Sequence, residues 1–140
     1  MIDIRGLLAD GHSGLRDGLE AMLHVQPGIA VVGHAADGRE AVRKALELAP
    51  DVTIMDIVMP ELDGIEATHR VRSHLPQSRV VILSMYSTTE HIFRALQAGA
   101  QGYLLKESAG AEVVVAVRSV HAGRRYLSQK ITEAVIDDYL

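Results

Sequence analysis

The chain has 140 residues, which suffices for one compact domain with its own core and is too short for two domains of ordinary size. Apolar residues make up 48% and charged residues 23% of the sequence, which is typical of a globular protein and excludes a disordered or fibrous one. The formal net charge of -4 argues against direct binding to nucleic-acid phosphates, and the absence of cysteine excludes disulfides and thiol chemistry.

The N-terminal sequence and the apolar runs favour a cytoplasmic protein. An acid at position 3 stands where a secretory signal would carry basic and then long apolar sequence. The longest apolar runs, 80–83 and 113–117, are far shorter than the roughly 20 residues needed to span a bilayer. We therefore expect neither export nor a membrane segment.

Short apolar segments alternate with stretches of helical periodicity along the chain. Five segments have the length and composition of buried strands, at residues 4–9, 29–35, 52–55, 80–84 and 102–105. Each is followed by a stretch in which apolar residues recur at helical spacing. Because right-handed crossovers place helices on both faces of a parallel sheet, this alternation predicts a doubly wound α/β fold with five parallel strands and five flanking helices.

Polar side chains stand at the carboxyl ends of four predicted strands. They are Asp10 after the first strand, Asp56 after the third, Ser84 at the end of the fourth and Lys106 after the fifth. Taken singly, such residues are usually capping acids, buried hydroxyls or members of surface ion pairs. In open parallel sheets, however, ligands and chemistry collect at this edge, so the four together predict one functional site.

These side chains suit the transfer of a phosphoryl group to a carboxylate. The transferred group carries spread negative charge that cations and hydrogen-bond donors must meet. Lys106 supplies a fixed positive charge, Ser84 can donate a hydroxyl hydrogen bond, and Asp10 can help to hold a divalent metal. Asp56 would then be the nucleophile.

Three segments carry motifs that are specific in type and spacing. They are Met55-Asp56-Ile-Val-Met-Pro60 followed by Asp63-Gly64, then Val81-Ile-Leu-Ser84, and then Gly102-Tyr-Leu-Leu-Lys106. With these motifs the chain resembles the receiver domain of bacterial two-component response regulators over residues 2–123. Leu-Leu-Ala-Asp10-Gly-His near the start and Gly123-Arg-Arg-Tyr-Leu-Ser128 near the end are similar to the NarL/FixJ (LuxR-type) subfamily. The resemblance implies a flavodoxin-like sheet with strand order 2-1-3-4-5.

The resemblance also implies a role for each residue of the site. Asp56 would accept the phosphoryl group, and Ser84 and Lys106 would contact it. Mg²⁺ would be held by the carboxylates of Asp10 and Asp56 and by the backbone carbonyl of Val58.

A regulatory role, and not turnover of a metabolite, follows from the same resemblance. A sensor histidine kinase would donate the phosphoryl group, and transfer and later hydrolysis would be intrinsic but slow. Tyr103 would act with Ser84 as an aromatic switch by rotating toward it. The surface of the fourth helix, fifth strand and fifth helix would then change its affinity for a partner, commonly a second copy in a homodimer.

Residues 124–140 are expected to form a C-terminal linker helix. Their apolar residues recur at helical spacing, at Ile131, Val135, Ile136 and Tyr139. The segment is too short for the helix-turn-helix output domain of the subfamily, so we expect that domain to be absent. DNA would be contacted only through such a domain.

One position departs from the family pattern. The family usually has two adjacent acids after the first strand, of which the second is a direct metal ligand, and Gly11 stands at that place here. Losing a ligand predicts weak Mg²⁺ binding and slow phosphorylation. The alternative is a pseudo-receiver, which keeps the fold and the dimer surface but works without phosphorylation.

Other classes of site are less well supported by the sequence. Gly11-His-Ser-Gly follows a strand and opens a helix, but Leu15 stands where the G-x-S-x-G motif of hydrolases needs glycine. Ser13 is therefore interpreted as a helix cap. Neither glycine-rich phosphate loop, G-x-G-x-x-G nor G-x-x-x-x-G-K-[ST], occurs. The seven histidines show neither H-E-x-x-H nor i, i+4 spacing, so we interpret them as surface or core residues and not as zinc ligands.

Overall fold

Six strands form one parallel sheet in the computed structural model, which describes residues 3–108 and 110–140. They are β1 (Ile4–Ala9), β2 (Ile29–Ala35), β3 (Val52–Met55), β4 (Arg79–Ser84), β5 (Gly102–Leu105) and β6 (Tyr126–Leu127). Their order is β2-β1-β3-β4-β5-β6, which confirms the predicted order of the first five. Residue 2, where the predicted receiver domain begins, lies outside the described ranges.

Helices cover both faces of the sheet, as predicted. They are α1 (Ser13–His24), α2 (Gly38–Leu48), α3 (Gly64–His74), α4 (Thr89–Ala98), α5 (Ala111–His121) and α6 (Gln129–Tyr139). Buried side chains of α2, α3, α4 and α6 form one apolar cluster against the sheet, and those of α1 and α5 form a second. None of the helices within residues 3–108 and 110–140 is long and apolar enough to cross a bilayer.

Local signals in the sequence set several helix boundaries. Asp37 precedes α2, and its side chain accepts a hydrogen bond from the backbone N–H of Glu40 at 2.8 Å. Gly99 ends α4 in the left-handed conformation at φ 113°, which glycine adopts without strain. The interpretation of Ser13 as a cap is wrong, because Ser13 is already helical and His12 holds the N-cap position without a side-chain capping bond.

The sixth strand corrects the predicted number of five. Tyr126 and Leu127, which were expected to belong to the linker, pair in parallel with Gly102 and Tyr103 of β5. Two residues are too few to show the alternation by which strands are recognised in a sequence. The predicted C-terminal helix is present as α6, and Ile131 on it is fully buried in the cluster shared with α3 and α4.

The burial of Ile131 predicts that α6 stabilises the fold. Replacing Ile131 by alanine is expected to lower the free energy of unfolding by about 2–4 kcal/mol, because it removes buried methyl groups and leaves a cavity. Ile136 lies on the same helix but is 50% exposed, so Ile136→Ala is expected to change that free energy by less than about 1 kcal/mol. Urea unfolding of both variants measures the difference. Equally small effects would mean that α6 is a detached linker.

Candidate functional site

Two aspartates lie side by side at the carboxyl edge of the sheet. Asp10 follows β1 and Asp56 follows β3, and the register of these strands places Ala9 opposite Met55. The backbone N–H of Asp56 donates to the carbonyl of Ala9 at 2.9 Å, which continues the pairing beyond the last strand residues. Both aspartates are 4% exposed, so two carboxylates are buried at adjacent strand ends.

Lys106 reaches both carboxylates from the end of β5. Its Nζ atom lies 2.9 Å from Oδ2 of Asp56 and 3.1 Å from Oδ2 of Asp10. The side chain of Lys106 is only 15% exposed, so this contact is poorly screened by solvent. The structure thus brings together three of the four polar groups that the sequence placed at strand ends.

The charges of this cluster act on one another. Burial raises the pKa of Asp56, and the nearby charge of Asp10 adds to this, while the bond and charge of Lys106 lower it in part. Burial alone would lower the pKa of Lys106, but its hydrogen bonds to Asp56 and Asp10 and their charges raise it overall. With both acids ionised, two carboxylates and one ammonium leave a negative charge that a further cation can offset.

A pocket of about 190 Å³ gives access to Asp56 from solvent. It is lined by His12, Asp56, Val58, Met85, Tyr86 and Lys106. The N–H of Val58 lies 3.4 Å from Oδ1 of Asp56, a long hydrogen bond. Asp56, the candidate phospho-acceptor, is therefore almost fully buried but lines a pocket that is open to solvent.

Gly64 fixes the loop that follows Asp56. Its N–H donates to the carbonyl of Ile57 at 2.8 Å. A Cβ atom built on Gly64 would lie 1.8 Å from the backbone oxygen of Asp56, so only glycine allows this approach. Asp63 precedes it and caps α3 by accepting from the N–H of Glu66 at 2.9 Å. The Asp63-Gly64 pair thus holds α3 against the backbone that carries Asp56.

Ser84 and Tyr103 are connected through the backbone of Tyr86. The hydroxyl of Ser84 accepts from the N–H of Tyr86 at 2.9 Å, and the hydroxyl of Tyr103 donates to the carbonyl of Tyr86 at 2.7 Å. Tyr103 is already fully buried in this arrangement. Burial raises the pKa of Tyr103, which keeps its phenol a hydrogen-bond donor. Ser84 lines an adjoining pocket of about 410 Å³ with Lys106, which links it to the carboxylates.

His12 is a residue of this site that the sequence analysis missed. Its backbone N–H donates to Oδ1 of Asp10 at 2.8 Å, and its Nδ1 atom lies 3.1 Å from the same oxygen. One ligand atom from each of Asp10, His12 and Asp56 lies within 4.8 Å of the others, so these residues could hold a metal ion. The signal in the sequence was the position of His12 two residues after Asp10, at the turn from β1 into α1.

Comparison with known proteins identifies the class to which this fold and site belong. The family model for the response regulator receiver domain matches residues 7–118, and the chain belongs to this family. It is a receiver domain of two-component systems, a class of domain that generally binds Mg²⁺ and takes sensor histidine kinases as partners. The oxygen atoms of this site fit Mg²⁺, because that ion prefers oxygen ligands. Lys106 contacts Oδ2 of Asp10 and of Asp56, so Oδ1 of each aspartate is not bonded to Lys106.

Similar proteins place the chain in the NarL/FixJ (LuxR-type) group. The transcriptional regulatory protein LiaR of Bacillus subtilis (strain 168) is 42% identical over 133 residues, which are 95% of this chain and 63% of LiaR. A LuxR-family response regulator from Aurantimonas sp. SI85-9A1 superposes with a TM-score of 0.93 at 36% identity over 98% of both chains. The receiver domain of the response regulator NarL from Mycobacterium tuberculosis gives 0.85 at 36% identity, over 89% of this chain and all of that one.

Proposed function

We propose that this chain accepts a phosphoryl group on Asp56 and thereby switches a protein-interaction surface. The observation that carries the proposal is the contact of 2.9 Å between Nζ of Lys106 and Oδ2 of Asp56, two residues that line the same open pocket. A buried carboxylate beside a fixed cation can attack phosphorus while the cation meets the charge of the transferred group. Membership of the receiver family supports the same role.

The transfer begins at a phosphohistidine on the sensor kinase. An oxygen of Asp56 attacks phosphorus as the phosphorus–nitrogen bond breaks, and the imidazole nitrogen leaves with the bonding electrons and takes a proton. Asp10, Asp56 and the carbonyl of Val58 would hold Mg²⁺, which supplies positive charge to the phosphoryl oxygens. Lys106 and the hydroxyl of Ser84 then donate to the oxygens of the acyl phosphate.

The switch follows from the hydrogen bonds of Ser84. If the side chain of Ser84 rotates and carries its oxygen toward the phosphoryl group, the hydrogen bond from the backbone N–H of Tyr86 to that oxygen is lost. The backbone carbonyl of Tyr86 also accepts a hydrogen bond from the hydroxyl of Tyr103, so a shift of the Tyr86 backbone changes the position of the Tyr103 ring on β5. The face of α4, β5 and α5 then takes two arrangements with different affinity for a partner, which we propose is a second copy of the chain.

Control of transcription is the proposed output. LiaR is named as a transcriptional regulatory protein, and this chain matches 63% of its length. Residues 7–118 of this chain match the receiver family model. We therefore propose that the Asp56 switch acts on transcription.

Intact-mass measurement after incubation with acetyl phosphate and Mg²⁺ tests the acceptor. Wild type is expected to gain one phosphoryl group, and Asp56→Asn is expected to gain none, because the amide is not a nucleophile of this kind. Asp17→Asn, at an exposed position of α1, is the matched control and should be modified like wild type. An unmodified wild type would favour the pseudo-receiver, and modification of Asp56→Asn would place the acceptor elsewhere.

A further inference from the structure

Gly11 occupies the place of a missing metal ligand without a steric need for glycine. A Cβ atom built on Gly11 would meet the carbonyl oxygen of Ala36 and Cδ of Pro60 at 3.7 Å, which is ordinary van der Waals contact. The backbone here is not in the left-handed region that favours glycine. The position of the missing metal ligand is therefore open because Gly11 has no side chain, and the side chain of a neighbouring residue can occupy it.

His12 lies where it can do so. Its side chain lines the same pocket as Asp56 and Lys106, although it is 71% exposed. Lys106 bonds to Oδ2 of both carboxylates, whereas Nδ1 of His12 lies beside Oδ1 of Asp10. Lys106 thus contacts Oδ2 of Asp10, whereas Oδ1 contacts His12 through its backbone N–H at 2.8 Å and Nδ1 at 3.1 Å. In the tautomer that carries the proton on Nε2, the lone pairs of Nδ1 and Oδ1 can bind a common ion.

The spacing of the donor atoms suits direct coordination. In an octahedral site with bonds of about 2.1 Å, neighbouring ligand atoms are about 3 Å apart and opposite ones about 4.2 Å. Nδ1 of His12 and Oδ1 of Asp10 are 3.1 Å apart, as for neighbouring ligands. The ligand atoms of Asp10, His12 and Asp56 all lie within 4.8 Å of one another, so small side-chain movements complete the set.

We propose that His12 replaces the missing acid as a metal ligand, so that this receiver prefers transition-metal divalent cations more strongly than a receiver with two acids. Imidazole nitrogen binds such cations well, whereas Mg²⁺ favours oxygen. Exchanging a carboxylate for an imidazole also removes one negative charge, which weakens attraction for Mg²⁺ most. The inference rests on the proposed use of this site in phosphoryl transfer, and it adds which divalent cations the site prefers.

Binding of Co²⁺ and Mg²⁺ to the purified chain tests the inference without any phosphodonor. Co²⁺ is followed by its visible absorption, which changes when nitrogen coordinates, and Mg²⁺ by calorimetry. His12→Ala is expected to weaken Co²⁺ binding at least about tenfold, because losing a residue that only hydrogen-bonds to a metal ligand already costs about tenfold or more. The same variant is expected to change Mg²⁺ binding less than about threefold. Gly11→Asp is expected to strengthen Mg²⁺ binding about tenfold or more and to make Co²⁺ binding less dependent on His12.

Two control variants define the site. His24→Ala removes a second exposed histidine, the last residue of α1, and should leave Co²⁺ binding unchanged. Asp56→Asn should weaken Co²⁺ binding strongly. Equal Co²⁺ affinity in wild type and His12→Ala, binding that survives Asp56→Asn, or no saturable Co²⁺ binding would each overturn the inference. A phosphoryl adduct on Asp56 in the presence of Mg²⁺ would still stand in those cases. Conversely, Co²⁺ binding that depends on His12, without any adduct, would overturn the proposed acceptor alone.

Discussion

Replacement of Lys106 by methionine is expected to lower the free energy of unfolding by about 3 kcal/mol near neutral pH. The side chain lies within 3.1 Å of both Asp10 and Asp56, and each aspartate is 4% exposed. Removing one partner of a buried ion pair leaves uncompensated charge and costs about 3–5 kcal/mol. The lower end applies because the pocket beside Asp56 is open to solvent, which screens part of the interaction.

The loss is expected to depend on pH in a defined direction. The pKa of Asp56 is raised in the folded chain by burial, and Lys106 holds it back through its hydrogen bond and charge. Without Lys106 the folded-state pKa rises further above the value near 3.8 of the unfolded chain. Between these values the native state binds more protons than the unfolded state, so stability falls as pH rises. The deficit of Lys106→Met is therefore largest near neutral pH and shrinks in mild acid.

Urea unfolding of wild type and variant at neutral and mildly acidic pH measures this effect. Lys130→Met is the matched control, because Lys130 pairs with Glu107 at 2.8 Å while both side chains are mostly exposed. Exposed pairs contribute little to stability, so this variant should unfold like wild type at both pH values. A deficit for Lys106→Met that is independent of pH would mean that lost packing, and not uncompensated charge, is responsible.

The strands of the sheet could be predicted closely because parallel strands covered on both faces are apolar throughout. Four of five predicted segments coincide with β1, β2, β3 and β5, and β4 begins one residue earlier, at the half-buried Arg79. The strand β6 could not be predicted. It is held by backbone pairing with β5, and its side chains are only half-buried, so they give no pattern of burial along the chain.

The candidate site was predictable where it depends on strand ends and unpredictable where it depends on the turns after them. Parallel strands end at a common edge, so Asp10, Asp56 and Lys106 meet once the strands are known. The places of His12 and Tyr86 follow from the path of the chain beyond β1 and β4. Tyr86 in particular stacks on His91 of α4 with ring centroids 4.2 Å apart, a contact without a signal in local spacing.

Gly64→Ala is expected to impair both folding and phosphorylation, because the added methyl group meets backbone and not a side chain. Its Cβ would lie 1.8 Å from the carbonyl oxygen and 2.7 Å from the carbonyl carbon of Asp56, where rotamer changes give no relief. Overpacking by side chains typically costs about 1–3 kcal/mol, so a backbone overlap should cost about 3 kcal/mol or more. Relief requires α3 to move from Asp56, and a displacement of about 1 Å at a reacting group can slow reaction about 100-fold.

The phosphorylation rate with acetyl phosphate and the urea unfolding midpoint test both parts of this prediction. Gly18→Ala is the matched control, since Gly18 is an exposed residue of α1 with nothing within 4 Å of an added Cβ. That variant should gain about 0.5–1 kcal/mol in stability, because alanine is the better helix former, and should be phosphorylated at the rate of wild type. If Gly64→Ala folds stably and is phosphorylated normally, the close approach of α3 to the Asp56 backbone is not what positions the acceptor. If it folds stably but is phosphorylated slowly, Gly64 acts chiefly by holding Asp56 in place.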